Sequence, residues 1–493
     1  MKNKNKNIKR NIPMFITNSL LCIASIVMSI ILTKHVIELD MLPNKFFIMY
    51  IVGISLINLI NIIFIIPKKI VFNIISIILS VVLIVGSGIA VHHINNIDTF
   101  LEKAFNNIEY ELTNYSVVVL NDSDYKNLED LDNKSIGYVT LDSKKNEYAN
   151  LFEGKVNVEL KEYDNSYVMY EDLTKKRINA MIIDDIYLEF LKDEDSKIEK
   201  KIEVIYTFEI KDEVGKTHND YTNELKTFNI LITGSDARLF DRIQSKTRSD
   251  VNMIMTVNPN THEILLTSIP RDYYVQLHGT TGVKDKLTHS GIYGMNMTKT
   301  TIEDLLDIRF DYVVKVGFGT VINVVDTIGG IDVYSDREFN SYHMKGWTVP
   351  KGMVHMNGKQ ALSYARERYA YPNGDNHRVQ NQQQVLEAIF TKAMTDKSLL
   401  SKYEDVLNSL RSLYVTDIPS LLIKRIVKQQ LSDMKSWKIA RQQLSGTGKM
   451  GVETYSMPGW KLWVMLPDDE SVKKNSENIN NMINGKSLKA LGF

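Results

Sequence analysis

The chain has 493 residues, and its 59 Lys and Arg balance 59 Asp and Glu to a formal net charge of zero. That balance excludes bulk electrostatic attraction for nucleic acid, so any basic surface is local. The only cysteine, Cys22, lies in an apolar run, so the polar part of the chain has no disulfide and depends on core burial.

Three runs, Phe15 to Thr33, Phe46 to Ile66 and Ile70 to Val91, contain no Asp, Glu, Lys or Arg. Each is long enough to cross a ~30 Å hydrocarbon core as a helix. A cleaved signal peptide is the poorer reading, because the first run exceeds an h-region and two more follow. Lys2, Lys4, Lys6, Lys9 and Arg10 precede the first run, and Lys68 and Lys69 separate the second from the third. By the positive-inside rule those ends are cytoplasmic. Residues 1–98 are therefore expected to be a multi-pass cell-membrane domain of three transmembrane helices, with the rest of the chain extracellular.

Residues 104–218 are expected to form a small α/β accessory domain. Tyr115 to Leu120, Lys134 to Thr140, Val156 to Lys161 and Ala180 to Ile183 read as strands; Leu128 to Leu131, Ser166 to Arg177 and Asp185 to Leu191 read as helical. Part of this stretch resembles one lobe of a solute-binding protein but carries no ligand-binding constellation, which suits an accessory role. Lys216 to Glu224 lacks apolar periodicity and reads as a linker.

Residues 226–493 read as the third domain. Phe228 to Thr233 is a buried strand ending in Gly234-Ser235-Asp236-Ala237-Arg238, and Val251 to Val257 and Glu263 to Ile269 form a hairpin about Asn258-Pro259-Asn260-Thr261. The first hairpin strand follows Arg248-Ser249-Asp250 and the second precedes Pro270-Arg271-Asp272. In an antiparallel pair the start of one strand lies beside the end of the next, so Asp250 and Arg271 are expected to be neighbours. Asp236 joins them if its strand runs in the direction of the second hairpin strand. The two arginines of Arg366-Glu367-Arg368 share a side only in an extended segment, the conformation expected there. Arg378 and Gln382 share one face of a helix expected from Arg378 to Ala393.

The segments GSDAR, RSD, SIPRD, KLTHSGIYG, VINVVDTIGGIDV, ALSYARERY and DNHRVQNQQQ occur in the order seen in the LytR-CpsA-Psr family, which residues 226–395 resemble. Three amino-terminal spans with an intervening domain look like the capsule-associated members. The resemblance implies an α/β/α sandwich with an apolar lipid pocket. It also implies transfer of a glycopolymer, capsular polysaccharide or teichoic-acid-like, from a polyprenyl diphosphate carrier to peptidoglycan. Asp375, Arg378 and Gln382 carry over as site residues by matching the family motif, and Asn381 stands where many members have a basic residue.

A diphosphate asks for such residues. Mg2+ takes octahedral oxygen ligands and needs one or two carboxylates beside phosphate oxygens, a role suited to Asp236 and Asp250. Arg271, Arg366, Arg368 and Arg378 offer bidentate hydrogen bonds to phosphate that lysine does not reproduce. Asp375 is a candidate base, although phosphoryl transfer runs largely on positioning and electrostatics. The plain alternatives are Asp236 as a helix N-cap with Arg238 at the surface, and Arg366 and Arg368 as a solvated ion-pair face around Glu367. At the level of function the alternative is a non-enzymatic polyprenyl-phosphate-binding regulator. His289 and His355 have no partner at metal-ligand spacing, and no dinucleotide fingerprint occurs. Farther on, Leu399 to Tyr414, Ser420 to Met434 and Asp469 to Ile483 read as helices, and Trp437 to Leu444 and Gly459 to Met465 as strands completing the sandwich.

Overall fold

A computed structural model of the chain describes residues 12–67, 69–105, 110–139, 145–194, 197–213, 225–235, 246–372, 374–395 and 414–493. Asp236, Arg238, the Lys216 to Glu224 linker and nearly all of the helix expected at Leu399 to Tyr414 lie outside these. The described residues fall into two compact units, one drawn from Met1–Asn106 and Ile418–Ser436, the other from Asn107–Asp417 and Trp437–Phe493.

The first unit holds α1 (Ile12–Leu39), α2 (Asn44–Ile65) and α3 (Ile70–Ala104), each long and apolar enough to cross a membrane. Apolar side chains point outward, and the buried positions include Asn18, Ser25, Asn61, Ser76 and Ser80. These form a hydrogen-bonded seam between helices: Asn18 Nδ2 donates to Asn73 Oδ1 (3.2 Å), Ser76 Oγ to Asn18 Oδ1 (3.0 Å), and Asn61 Nδ2 to Ser80 Oγ (2.8 Å). Small and hydroxylated residues let helices approach closely in lipid, where apolar burial alone supplies no driving force between them. The helix Ser420–Asp433 belongs to this unit, where Lys424 pairs with Asp98 and Lys428 with Asp40 (2.6 Å). It was expected to complete the sandwich; its lysines instead find the carboxylates that flank the apolar spans.

In the second unit the chain continues through β1 (Tyr110–Leu120), β2 (Lys134–Val139), α4 (Lys145–Phe152), β3 (Val158–Tyr163), α5 (Ser166–Thr174), β4 (Ala180–Asp184), α6 (Asp185–Glu194) and β5 (Ile202–Glu213). The strands form a mixed sheet in the order β3-β2-β4-β1-β5. Neither α4 nor β5 was expected; in β5 the extra residue Ile205 falls between exposed Val204 and Tyr206, where the pairing with β1 shifts register and breaks the alternation a half-buried strand shows.

The larger sheet contains β6 (Phe228–Ser235), β7 (Val251–Asn258) and β8 (Glu263–Ile269) at its centre. Tyr312–Gly317 lies parallel to β6 and Lys438–Gln443 parallel to β8, with Tyr414–Thr416 at the far edge. Leu231, Ile254, Leu265 and Val313 from this sheet share a core with Ile302 and Leu306 of the helix Met295–Leu306 and Ile479 and Met482 of Asp469–Ile483. A second core joins the helices Phe318–Thr327, Gly358–Arg366 and Gly374–Thr395 to the paired strands Ile331–Ser335 and Gly352–Met356. This is the layered α/β architecture expected. The two sheets are locked together through the hairpin of Gly446–Thr454 and Met457–Pro467. Tyr187 donates to the Ser456 carbonyl (2.6 Å), Trp460 Nε1 donates to Tyr167 (2.8 Å), and Lys246 meets Asp184 at 2.7 Å.

Candidate functional site

Hairpin register builds the first half of the site. Asn258 Oδ1 accepts from the N–H groups of Asn260 (3.1 Å) and Thr261 (3.2 Å), closing the turn, and Asn252 then lies opposite Ile269. Asp250 and Arg271, just beyond those positions, meet with Nη1 2.7 Å from Oδ1. β6 is antiparallel to β7 and so points the same way as β8. Its end is tied to the same edge by the Asp250 N–H, which donates to the Gly234 carbonyl (2.9 Å). A side chain at Gly234 would press on Val251, so the glycine permits this close approach.

The other residues of these motifs aim the charged pair. Ser249 is buried, 2.6 Å from both Thr233 Oγ1 and Asn252 Oδ1. The backbone around Arg248 crosses directly over Gly291, where a Cβ would collide with the Thr247 carbonyl. Ser249 N–H donates to the Thr288 carbonyl (2.9 Å), and Thr288 N–H to the Arg271 carbonyl (2.7 Å). Asp272 holds Arg271 from the other side, 3.4 Å from its Nε, and is itself 3.1 Å from Lys286 Nζ. The KLTHSG segment is thus the floor under the pair. His289 is a buried structural residue, its Nδ1 2.6 Å from Asp285, whose second oxygen accepts from the Ser456 N–H (2.8 Å).

The other candidate residues come from two helices. Asn357 caps Gly358–Arg366 through a capping box with Gln360, each bond 3.0 Å. Arg366 is the last helical residue, and Glu367 turns extended at φ −68° and ψ 127°. This corrects the fully extended segment expected for Arg366-Glu367-Arg368: buried Ala361, Tyr364 and Ala365 keep the helix intact up to the arginine. The solvated ion-pair reading also fails, because Glu367 is fully buried. Its Oε2 accepts from the N–H of Tyr342 (2.9 Å), and its Oε1 from those of Tyr369 (2.9 Å) and Ala370 (3.3 Å). Arg368 lies over the Tyr369 ring, 4.7 Å from its centroid.

Arg378 and Gln382 lie on one face of the helix Gly374–Thr395, and Arg378 is buried. Asp375 falls in its first turn. Asn381 does not face outward: it is fully buried and donates to the Tyr364 carbonyl (3.1 Å), joining this helix to the one that ends at Arg366. Burial pushes the Tyr364 phenol up to about 12, and its hydroxyl donates to Gln384 Oε1 (2.9 Å). Burial, then the Arg366 charge, lowers the pKa of His343, which meets the Arg366 carbonyl at 3.1 Å. Of the expected residues, Asp250 and Arg271 are in direct contact, Arg366 and Arg368 flank one buried anchor, and Arg378 and Gln382 share one helix face. A cleft of about 520 Å³ lined by Asp332, Tyr334, Gln384, Glu387 and Arg441 contains none of them.

Comparison with known proteins adds a family and relatives. The LytR_cpsA_psr family model matches residues 191–468. The polyisoprenyl-teichoic acid–peptidoglycan teichoic acid transferase TagU of Bacillus licheniformis is 39% identical over 192 residues, which is 39% of this chain and 60% of that protein. The protein of the same name from Enterococcus faecalis is 30% identical over 267 residues, 54% of this chain and 82% of its own length. Among solved structures, Bacillus subtilis TagV is 27% identical, with 53% of this chain and 99% of that chain covered at a TM-score of 0.44.

Proposed function

Because this chain belongs to the LytR_cpsA_psr family, we propose that it transfers a glycopolymer, capsular or teichoic-acid-like, from a polyprenyl diphosphate carrier to a hydroxyl of peptidoglycan. The observation that carries this reading is the Asp250–Arg271 pair at the sheet edge, with side chains 13% and 27% exposed. A pair so placed is fixed by its neighbours yet open to an anionic ligand.

The acceptor oxygen attacks the phosphorus nearer the glycan, and the bond from that phosphorus to the bridging oxygen breaks. The electron pair leaves on the lipid-side phosphate, giving a phosphodiester-linked glycan and polyprenyl monophosphate. Arg271, Arg366, Arg368 and Arg378 bind the diphosphate oxygens and stabilise the charge on the leaving phosphate. Gln382 orients the same group from the Arg378 face. Asp375 is the candidate acceptor of the hydroxyl proton. Mg2+, when bound, neutralises charge shared between the phosphate oxygens. Asp250 fits it as a ligand, since Oδ1 is engaged by Arg271 while Oδ2 makes no hydrogen bond to the described residues. Asp236, the next residue after β6, is the second proposed ligand.

Purified full-length protein supplied with a lipid diphosphate-linked glycan, Mg2+ and peptidoglycan strands should release polyprenyl monophosphate, and Asp250→Ala should abolish that release without unfolding the protein. Equal release by the variant would remove Asp250 from the reaction. The reading also places the second unit outside the cell. A reporter active only outside, fused after residue 100, should be active, and one fused within Pro67 to Lys69 should be silent; the reverse pattern would reject the location.

A further inference from the structure

Two loops beside the arginines present an aromatic surface that the phosphate chemistry leaves unused. Tyr342 and Tyr369 are 61% and 56% exposed, and their ring centroids are only 4.2 Å apart with the rings tilted by 43°. Contiguous exposed apolar surface marks interaction sites, and tyrosine is enriched at interfaces relative to the rest of a protein surface. These loops are rigid. The Ser341 N–H donates to the Trp347 carbonyl (3.0 Å), and Ser341 Oγ lies 2.6 Å from Ser363 Oγ on the helix that ends at Arg366. Buried Glu367 binds the backbone of both tyrosines at once. The residue between the two arginines thus fixes the arginines and the tyrosine pair as one piece.

We propose that Tyr342 and Tyr369 form the acceptor subsite, a platform on which a pyranose ring of the acceptor glycan strand stacks beside Arg366 and Arg368. The inference rests on the transferase reading above. The donor brings its own handle, a diphosphate that the arginines hold, and its sugars are tethered to that handle by a bond. The acceptor arrives as a separate, mostly uncharged sugar strand, and holding its hydroxyl near the phosphorus requires a surface of its own. An aromatic ring offers an apolar face for the C–H side of a pyranose, and its phenol offers a polar edge for the hydroxyls. Arg368, stacked on Tyr369 and bonded to its hydroxyl (2.6 Å), links that surface to the phosphate-binding groups.

The test uses the full chain in detergent and, as probe, a soluble uncross-linked tetrasaccharide of alternating N-acetylglucosamine and N-acetylmuramate. Calorimetric binding without donor should weaken roughly tenfold in Tyr342→Ala and in Tyr369→Ala, the scale of a lost aromatic contact, and recover in the Phe variants, which keep the ring. In transfer assays the KM for acceptor should rise while the KM for donor stays. Alanine variants that bind the tetrasaccharide like wild type, a wild type that does not bind it, or a loss confined to donor KM would each overturn the proposal. Ring-dependent binding by a protein with no transfer activity would sink the transferase reading and leave the platform standing. Should Tyr369→Ala fail to fold, Tyr342→Ala carries the test, because its ring is the more exposed.

Discussion

Two acid–base pairs stand at strand ends in the second unit and differ in what surrounds them. Asp184, at the end of β4, meets Lys246 at 2.7 Å with side chains only 7% and 10% exposed, and the lysine lies over the Tyr115 ring. Asp250 meets Arg271 at the same distance but at 13% and 27% exposure. The first pair is sealed where the two sheets join. It acts as a strut, a nearly buried ion pair between an aspartate at the end of β4 and a lysine that also lies over the Tyr115 ring. The second uses arginine, whose planar fork can bind Asp250 and still present donors to a phosphate. If Asp250 and Arg271 bind a diphosphate as proposed, access and the choice of cation are what separate that pair from the Asp184–Lys246 strut.

The sharpest break of this contrast is on the sealed side. Asp184→Ala removes the carboxylate 2.7 Å from a buried ammonium and should cost about 3–5 kcal/mol of stability, read as a large fall in the thermal midpoint of the full chain. Replacing both partners with apolar residues of similar volume should recover much of that loss. Stability untouched by Asp184→Ala would mean that the pair carries no structural weight. On the open side, Arg271→Lys keeps the charge and loses the fork, so transfer should fall by roughly 10²-fold, about 2.7 kcal/mol of transition-state stabilisation, with little change in melting. A loss of stability matching the loss of rate would make Arg271 a strut too. The smallest effect belongs to Arg309→Lys. Arg309 follows the left-handed cap Asp307, and its side chain is 79% exposed, so both rate and stability should stay within about 0.5 kcal/mol of wild type.

The Asp250–Arg271 contact was legible in the sequence because a tight antiparallel hairpin leaves no choice about which residues flank its open end. Four strands of the larger sheet were legible, and β8, expected from Glu263 to Ile269, has those bounds; Tyr312–Gly317 and Tyr414–Thr416 were not expected as strands. The strand Gly446–Thr454 was not, since GTGKMGVET has no apolar pattern and is held by pairing with Met457–Pro467. A charged face around Glu367 stood as the alternative in the sequence because burial is a property of what comes from elsewhere in the chain, here the backbone of Tyr342. Ser420–Asp433 shows a helical period whichever unit it joins, and only the positions of Asp40 and Asp98 reveal its partners.

On the proposed function the arginine and aspartate motifs catalyse phosphoryl transfer rather than merely hold a lipid. Single-turnover release of polyprenyl monophosphate from a lipid diphosphate-linked glycan, measured with the purified full chain in the presence of peptidoglycan strands, tests it most directly. Acceptor-dependent release is expected, falling about 10²-fold in Arg271→Lys. Tight binding of the lipid with no release by the wild-type protein, or release equal in wild type and Arg271→Lys, would contradict it; the former would make the chain a lipid-sensing regulator.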